Sequence, residues 1–344
     1  MRRSHESAIR GVAPVKSTNR YSWIAACVLF VLIGVGLDAL GGAILARMQG
    51  AARAGAQAGS VNLFLENLDR DLLVFGSSRA VYHIDPEILE AELGLTGYNG
   101  GELGQGIQYA YALAAFAVDA GTSARVFVLQ VDEANLFESQ SVRLGRLMPY
   151  YGRVDVVDQM LERIGPTAQL KLSSSTYRYN SLLLPVVVSL LRGAVPESNG
   201  FVPLRRKAGL EERSHATALS ERAIDPITVR ALRDFLRDAC AAGIETVVIM
   251  GPRWRPDGWR AEELVAQQAY AEIVAEEGGH FARLATEEVP AFRDEALWAD
   301  TAHLTPEGAV VLSHALSDEI RRIGVPQARG GREIRAACQK ATSL

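Results

Sequence analysis

Leu72-Leu73-Val74-Phe75-Gly76-Ser77-Ser78-Arg79 is the stretch on which the fold turns. Four consecutive apolar residues suit a short buried strand, and the glycine and serines that follow are turn and helix-cap residues. Beyond them Asp85-Pro86 sets an N-cap before a proline at the first helical position, predicting a helix through about Leu93. The unit then repeats. Thr96–Asn99 reads as a weak strand, Gly100-Gly101-Glu102-Leu103-Gly104 as a glycine-rich turn, Ile107–Ala120 as a helix and Arg125–Val131 as a clear strand.

Between 138 and 225 the regularity breaks into Tyr-rich and Ser-rich stretches, read as a mostly helical insertion or lid. Its apolar segment Leu182–Leu191 is ten residues long, too short to cross a bilayer. The alternation resumes with a helix over Ile227–Ala242, a strand over Thr246–Met250 and a helix over Ala261–Glu277. A short strand near Phe281–Leu284 follows, and Thr305-Pro306 caps a last helix to about Ile323. Strands alternating with helices predict one α/β domain over 71–325, its parallel sheet covered on both faces. Ligands in such sheets sit beyond the carboxyl ends of the strands. Residues 326–344 are polar and read as a disordered tail.

Upstream of this domain, residues 1–21 carry Arg2, Arg3, Arg10, Lys16 and Arg20 against Glu6 alone. An apolar run from Trp23 to Leu45 follows, interrupted only by Asp38. Crossing a hydrocarbon core of ~30 Å takes about 20 apolar residues, so the run suffices with Asp38 near the far interface. The reading is a cytoplasmic basic tail (1–21), a transmembrane anchor (22–46) and an Ala/Gly/Gln-rich stalk (47–70), with the domain outside the cytoplasm. A cleaved signal peptide and a buried soluble helix are the alternatives.

With 344 residues, 48% hydrophobic and a formal net charge of -4, the chain is no collagen, no disordered tail protein and, lacking a Lys/Arg block, no nucleic-acid binder. Cys27, Cys240 and Cys338 form no disulfide framework and show no metal-ligand spacing, although Cys240 and Cys338 share a compartment in which a pair is allowed. Neither a metal nor a cofactor is expected.

The chemistry lies in two distant motifs. Ser78 follows the first strand, and Asp300-x-x-His303 precedes the last helix. A serine hydroxyl needs an adjacent imidazole to take its proton, and the imidazole needs a carboxylate on its other nitrogen to fix the tautomer. A loop that curls can present Asp300 and His303 together. Alone, Gly-Ser-Ser is also an ordinary turn with a capping serine, and Asp300-x-x-His303 also a loop before a helix. Arg79 is either a salt-bridging residue or a binder of anionic substrate, and Trp298 stands close enough to Asp300 to shape a pocket.

Gly-x-Ser after strand one, a glycine-rich block after strand two and Asp-x-x-His near the C-terminus resemble the SGNH (GDSL-like) hydrolase superfamily. The Gly-Ser-Ser form, the anchor and the Tyr98-Asn99-Gly100-Gly101 block resemble its membrane-anchored extracytoplasmic branch, which includes DltD-like and alginate-type O-acetylation proteins. The resemblance covers about 70–137 and 244–323. It implies a three-layer α/β/α sandwich with a mainly parallel, flavodoxin-like sheet. Ser78 is then the nucleophile, His303 the base and Asp300 its orienting acid. The backbone N–H groups of Ser78 and Gly104 serve as oxyanion donors, with Arg79, Asn99 and Trp298 against substrate. The family's third donor, an asparagine after strand three, has Asn135 as its nearest counterpart, about two residues late, and Ser77 replaces the acid before the nucleophile. The implied function is acyl transfer, typically acetyl, to a sugar hydroxyl or to water. Its partners would be the bilayer, a polysaccharide or other glycan and a membrane-bound acyl-donor protein. The alternative is a non-catalytic glycan-binding or scaffold protein of an exopolysaccharide export complex.

Overall fold

The computed structural model describes residues 20–53, 59–138, 141–192, 199–205, 210, 223–254 and 261–324. Its centre is a five-stranded, all-parallel sheet: β1 (Leu72–Phe75), β2 (Gly97–Asn99), β3 (Val126–Val131), β4 (Glu245–Met250) and β5 (His280–Arg283), in the order β2-β1-β3-β4-β5. The chain steps from β1 outward to β2 and then back across β1 to β3. The carboxyl ends of β1 and β3 therefore flank the switch point, where open α/β sheets leave a crevice.

Helices carry the crossovers. α1 (Arg20–Ala51) and α2 (Ser60–Glu66) precede the sheet; α3 (Ser78–His83) and α4 (Pro86–Leu93) link β1 to β2, and α5 (Ile107–Asp119) links β2 to β3. α6 (Asp155–Glu162), α7 (Ala168–Ser173) and α8 (Leu183–Arg192) belong to the insertion, and α9 (Pro226–Ala241), α10 (Ala261–Glu276) and α11 (Pro306–Ile323) complete the chain order. Side chains that precede a proline at N1 open three of them. Asp85 accepts from Glu87 N–H, Asp225 from Thr228 N–H and Thr305 from Gly308 N–H, each satisfying a backbone donor that helix geometry leaves open.

Alternate strand residues enter two separate cores. Leu73, Phe75, Phe127, Leu129, Val248 and Met250 pack with apolar residues of α5, α9 and α10. Leu72, Val74, Val126, Val128, Val247 and Ile249 pack with those of α3, α4 and α11. The period of two puts successive side chains on opposite faces, and both are covered, so the central strands read as continuous apolar runs.

One expectation needs correction. The stretch read as a stalk is not one: α1 continues to Ala51, and α2 lays Val61 and Phe64 into the core beside Phe75 and Tyr98. Val61, Phe64, Leu65 and Leu68 hold a helical spacing that the alanines and glycines upstream obscure. Cys240, in α9, is disulfide-bonded, and Cys27 is free. Helix α1 is long and apolar enough to cross a membrane; an 18-residue stretch within Tyr21–Ala51 reaches a mean hydropathy of 2.4, and the same length and composition also suit a signal sequence. The tail 326–344 and most of the basic segment 1–21 lie outside the described residues.

Candidate active site

β1 ends at Phe75 and the chain must turn at once. Gly76 adopts φ 147°, and a Cβ there would stand 2.8 Å from the Gln130 carbonyl oxygen, so the turn admits only glycine. Ser77 caps α3: its Oγ accepts from Arg79 N–H at 3.2 Å and donates to Gln130 Oε1 at 3.1 Å. Ser78 follows as the first residue of α3, where its own N–H has no intrahelical partner.

The histidine arrives from the other end of the chain. A bridge between Trp298 and Leu304 closes a small loop, and Ala299 N–H donates to the His303 carbonyl at 2.9 Å. Within it Asp300 Oδ1 accepts from the N–H groups of Ala302 (2.8 Å) and His303 (2.9 Å). This curl brings the carboxylate onto the imidazole of its own loop, with His303 Nδ1 2.9 Å from Asp300 Oδ2 and 3.0 Å from Oδ1. The opposite nitrogen, His303 Nε2, lies 2.9 Å from Ser78 Oγ. Ser78, His303 and Asp300 thus form one chain of hydrogen bonds, the arrangement that acyl transfer through serine requires.

Burial alone would raise the Asp300 carboxyl, but the His303 side chain and the two backbone donors outweigh it and hold it at about 2, so the carboxylate stays ionised beside the imidazole. Two groups that the sequence did not single out for the site support the ring. Tyr82 sets its ring edge-on to His303 with centroids 5.5 Å apart; burial, then the charges of Asp300 and Glu102, raise its hydroxyl above the usual range. His83, fully buried, accepts Leu304 N–H on Nε2 at 3.0 Å and so ties α3 to the loop that carries His303. Burial, reinforced by Arg79 and His303, pushes His83 well below the ordinary imidazole range and keeps it neutral. Its acceptor Nε2 places the proton on Nδ1, which has no partner among the described residues.

The other expected site residues are engaged with partners inside the protein. Arg79 is not turned toward a substrate: it is 4% exposed, with Nε 2.9 Å from Asp132 and Nη2 2.8 Å from Glu133. Asn99 is likewise committed, donating to the carbonyls of Ala80 and Ile84 and accepting Gly101 N–H, so it ties β2 to the end of α3. Trp298 is 2% exposed, its indole N–H donating to the Phe292 carbonyl. Asn135 Oδ1 accepts Asp132 N–H at 3.2 Å in a reciprocal cap of the short helical turn Glu133–Phe137. A cap asparagine and a donor asparagine look alike in sequence. Gly104 lies in the β2–α5 loop at φ 69°, its carbonyl taken by Arg143. Among the described residues, no cluster of three or more His, Cys, Asp or Glu is placed to hold a metal. No protein-family model and no curated protein matches the chain.

Proposed function

We propose that the chain is an anchored extracytoplasmic enzyme of acyl esters, an O-acetyltransferase or esterase acting on an envelope or exported polysaccharide. The observation that carries this reading is the 2.9 Å approach of Ser78 Oγ to His303 Nε2, with Asp300 on the opposite nitrogen. Ser78 Oγ attacks the ester carbonyl as its proton passes to His303 Nε2. The tetrahedral adduct collapses, the C–O bond to the leaving alcohol breaks, and His303 returns the proton to that alcohol. A sugar hydroxyl or water, deprotonated by the same imidazole, then attacks the acyl-serine and frees Ser78. The backbone N–H groups of Ser78 and Gly104 face the developing oxyanion in this scheme.

The fold reading is a three-layer α/β/α sandwich resembling SGNH hydrolases, supported by the strand order and the two separately packed faces. The basic flank of α1 favours a cytoplasmic N-terminus, and the bonded Cys240 suits an oxidising compartment beyond the membrane. The glycan acceptor and the membrane-bound acyl donor rest on resemblance to the anchored branch. The second reading, a non-catalytic glycan-binding or scaffold protein, is favoured by the lack of a clear asparagine at the family's third-donor position after β3: Asn135 stands about two residues late, and loss of an oxyanion donor costs about 10²–10³ in rate.

Purified full-length protein in detergent, given p-nitrophenyl acetate, separates the two. The enzyme reading expects a burst of nitrophenol and an acetyl group on Ser78 by mass spectrometry, both absent from Ser78→Ala. Equal, unbursting turnover by wild type and Ser78→Ala would leave only the scaffold.

A further inference from the structure

Helix α1 is longer than a bilayer requires. Its 32 residues extend about 48 Å at ~1.5 Å each, against a hydrocarbon core of ~30 Å. Counting about 20 residues from Trp23, an aromatic suited to the headgroup level, puts the far boundary near Gly42 and Asp38 about one turn inside it. A carboxylate at that depth needs partners, and the insertion supplies them. Ser174 Oγ (2.6 Å) and Thr176 N–H (3.1 Å) donate to Asp38 Oδ1, and Ser175 N–H (2.7 Å) donates to Oδ2. The approach is close enough that a Cβ on Gly42 would stand 2.4 Å from that of Ser175. The Ser174–Thr176 loop is therefore clasped to α1 at the level where lipid meets water.

α7 runs directly into that loop and is held near the same level, while α8 packs further along α1, against Met48 and Ala52, about 9–15 Å beyond Gly42 at ~1.5 Å per residue. Leu170 on α7 is 76% exposed, and Leu184 and Leu191 on α8 are 72% and 81% exposed. On its other side α8 buries Val186 and Ser189, and Val186 joins Leu182, Met48 and Ala52 in a small core against α1. Isolated exposed leucines are ordinary, but these lie on the two helices that flank the clasped loop, beside an α1 whose apolar residues Trp23, Leu29, Phe30, Leu37 and Leu40 are themselves exposed. The same insertion reaches the site's glycine-rich loop, where Arg143 donates to the Gly104 carbonyl at 2.6 Å and Arg146 pairs with Glu102 at 3.0 Å.

We infer that α7 and α8 form a membrane seat: their leucines enter the interfacial zone of the bilayer that α1 crosses, holding the Ser78 site at a fixed height and tilt above the lipid. The occupant of the apolar face is lipid. The inference rests on α1 spanning the membrane and is independent of the catalytic reading.

The test uses the full chain in phosphatidylcholine–phosphatidylglycerol vesicles, with a nitroxide on native Cys27 and, in a Cys27→Ser background, on Leu170→Cys, Leu184→Cys, Leu191→Cys or Glu272→Cys, the last on the exposed side of α10. All four positions are exposed, so the labels disturb no core. Accessibility to oxygen and to a water-soluble nickel chelate is read by electron paramagnetic resonance. The seat expects nickel accessibility at 184 and 191 several-fold below that at 272, with oxygen accessibility raised toward that at Cys27. A lipid-facing Cys27 with water-facing labels at 184 and 191 overturns the seat and leaves the anchor standing. A water-facing Cys27 overturns the anchor and the seat together. Labels at 184 and 191 screened from both reagents mean that protein covers this face, which also overturns the seat.

Discussion

Two charged clusters lie on either side of the first turn of α3. In one, the side chains of Asp300 and His303 are 31% and 23% exposed; in the other, those of Arg79 and Glu133 are 5% and 1% exposed. Both are pairings of a carboxylate with a nitrogen base, yet they do different work. His303 spends one nitrogen on Asp300 and leaves the other against a hydroxyl, so a proton can move while the carboxylate holds the ring still. Arg79 spends its guanidinium on Asp132, Glu133 and the Gly251 carbonyl, joining the carboxyl ends of β1, β3 and β4 where the crevice opens. Burial favours loss of its proton, but Asp132, Glu133 and Glu263 outweigh that and raise the guanidinium further. Adjacent residues thus part ways: Ser78 turns to the imidazole, as the proposed chemistry needs, and Arg79 joins the frame. Partial exposure and a ring nitrogen set against a hydroxyl mark the first, and burial among carboxylates the second.

The largest effect that would break this contrast is on turnover. Ser78→Ala is expected to lower ester turnover about 10⁴–10⁶-fold while leaving the urea midpoint unchanged. A stability loss instead would make Ser78 part of the frame. Asp300→Asn keeps the shape but not the charge, so turnover should fall about 10⁴-fold, read as kcat with substrate saturating. A fall below tenfold would show that the ring does not need its carboxylate.

Arg79→Met should act the other way round. It strands buried carboxylates and is expected to cost about 3–5 kcal/mol in denaturant unfolding, with little change in kcat for the protein that remains folded. A fully stable variant with lost turnover would move Arg79 into the site.

The smallest effect is a slope. His83 has its folded pKa pushed well below the ordinary 6.5, so below pH 6.5 the unfolded chain binds a proton that the folded chain does not. The His83 contribution is therefore intact above pH 6.5 and is lost as pH falls, by up to about tenfold in the folded-to-unfolded ratio per pH unit. His83→Gln keeps an acceptor for Leu304 N–H but cannot titrate, so its urea midpoint should vary less than wild type between pH 7.5 and 5. Parallel pH profiles for the two proteins would count against a neutral buried imidazole.

How much of this is legible in the sequence depends on the range of the contact that encodes it. Asp85-Pro86 and Thr305-Pro306 carry their caps within three residues, and the apolar runs of β1, β3 and β4 announce strands buried on both faces. Asp300 and His303 interact within one loop, and the placement of Ser78 and His303 beyond the strands makes their meeting readable. Arg79, Asn99 and Asn135 are different. Each is a polar residue in a loop-rich stretch, and only the partners that surround it, often from distant segments, decide whether it faces ligand or backbone. The clasp of Asp38 by Ser174–Thr176 lies wholly beyond periodicity, because its partners are 136 to 138 residues apart and no pattern within either segment refers to the other.

The 225 residues that separate Ser78 from His303 also set an order of events during biogenesis. While the chain is still being made or moved through a translocation channel, the serine emerges first and stays an ordinary, unactivated alcohol. Only when α11 docks, with Ser313 Oγ accepting Asp85 N–H at 2.9 Å, is the imidazole delivered. On the proposed reading, a truncated or half-exported product is then chemically silent, and reactivity toward esters would begin only once the whole domain has folded.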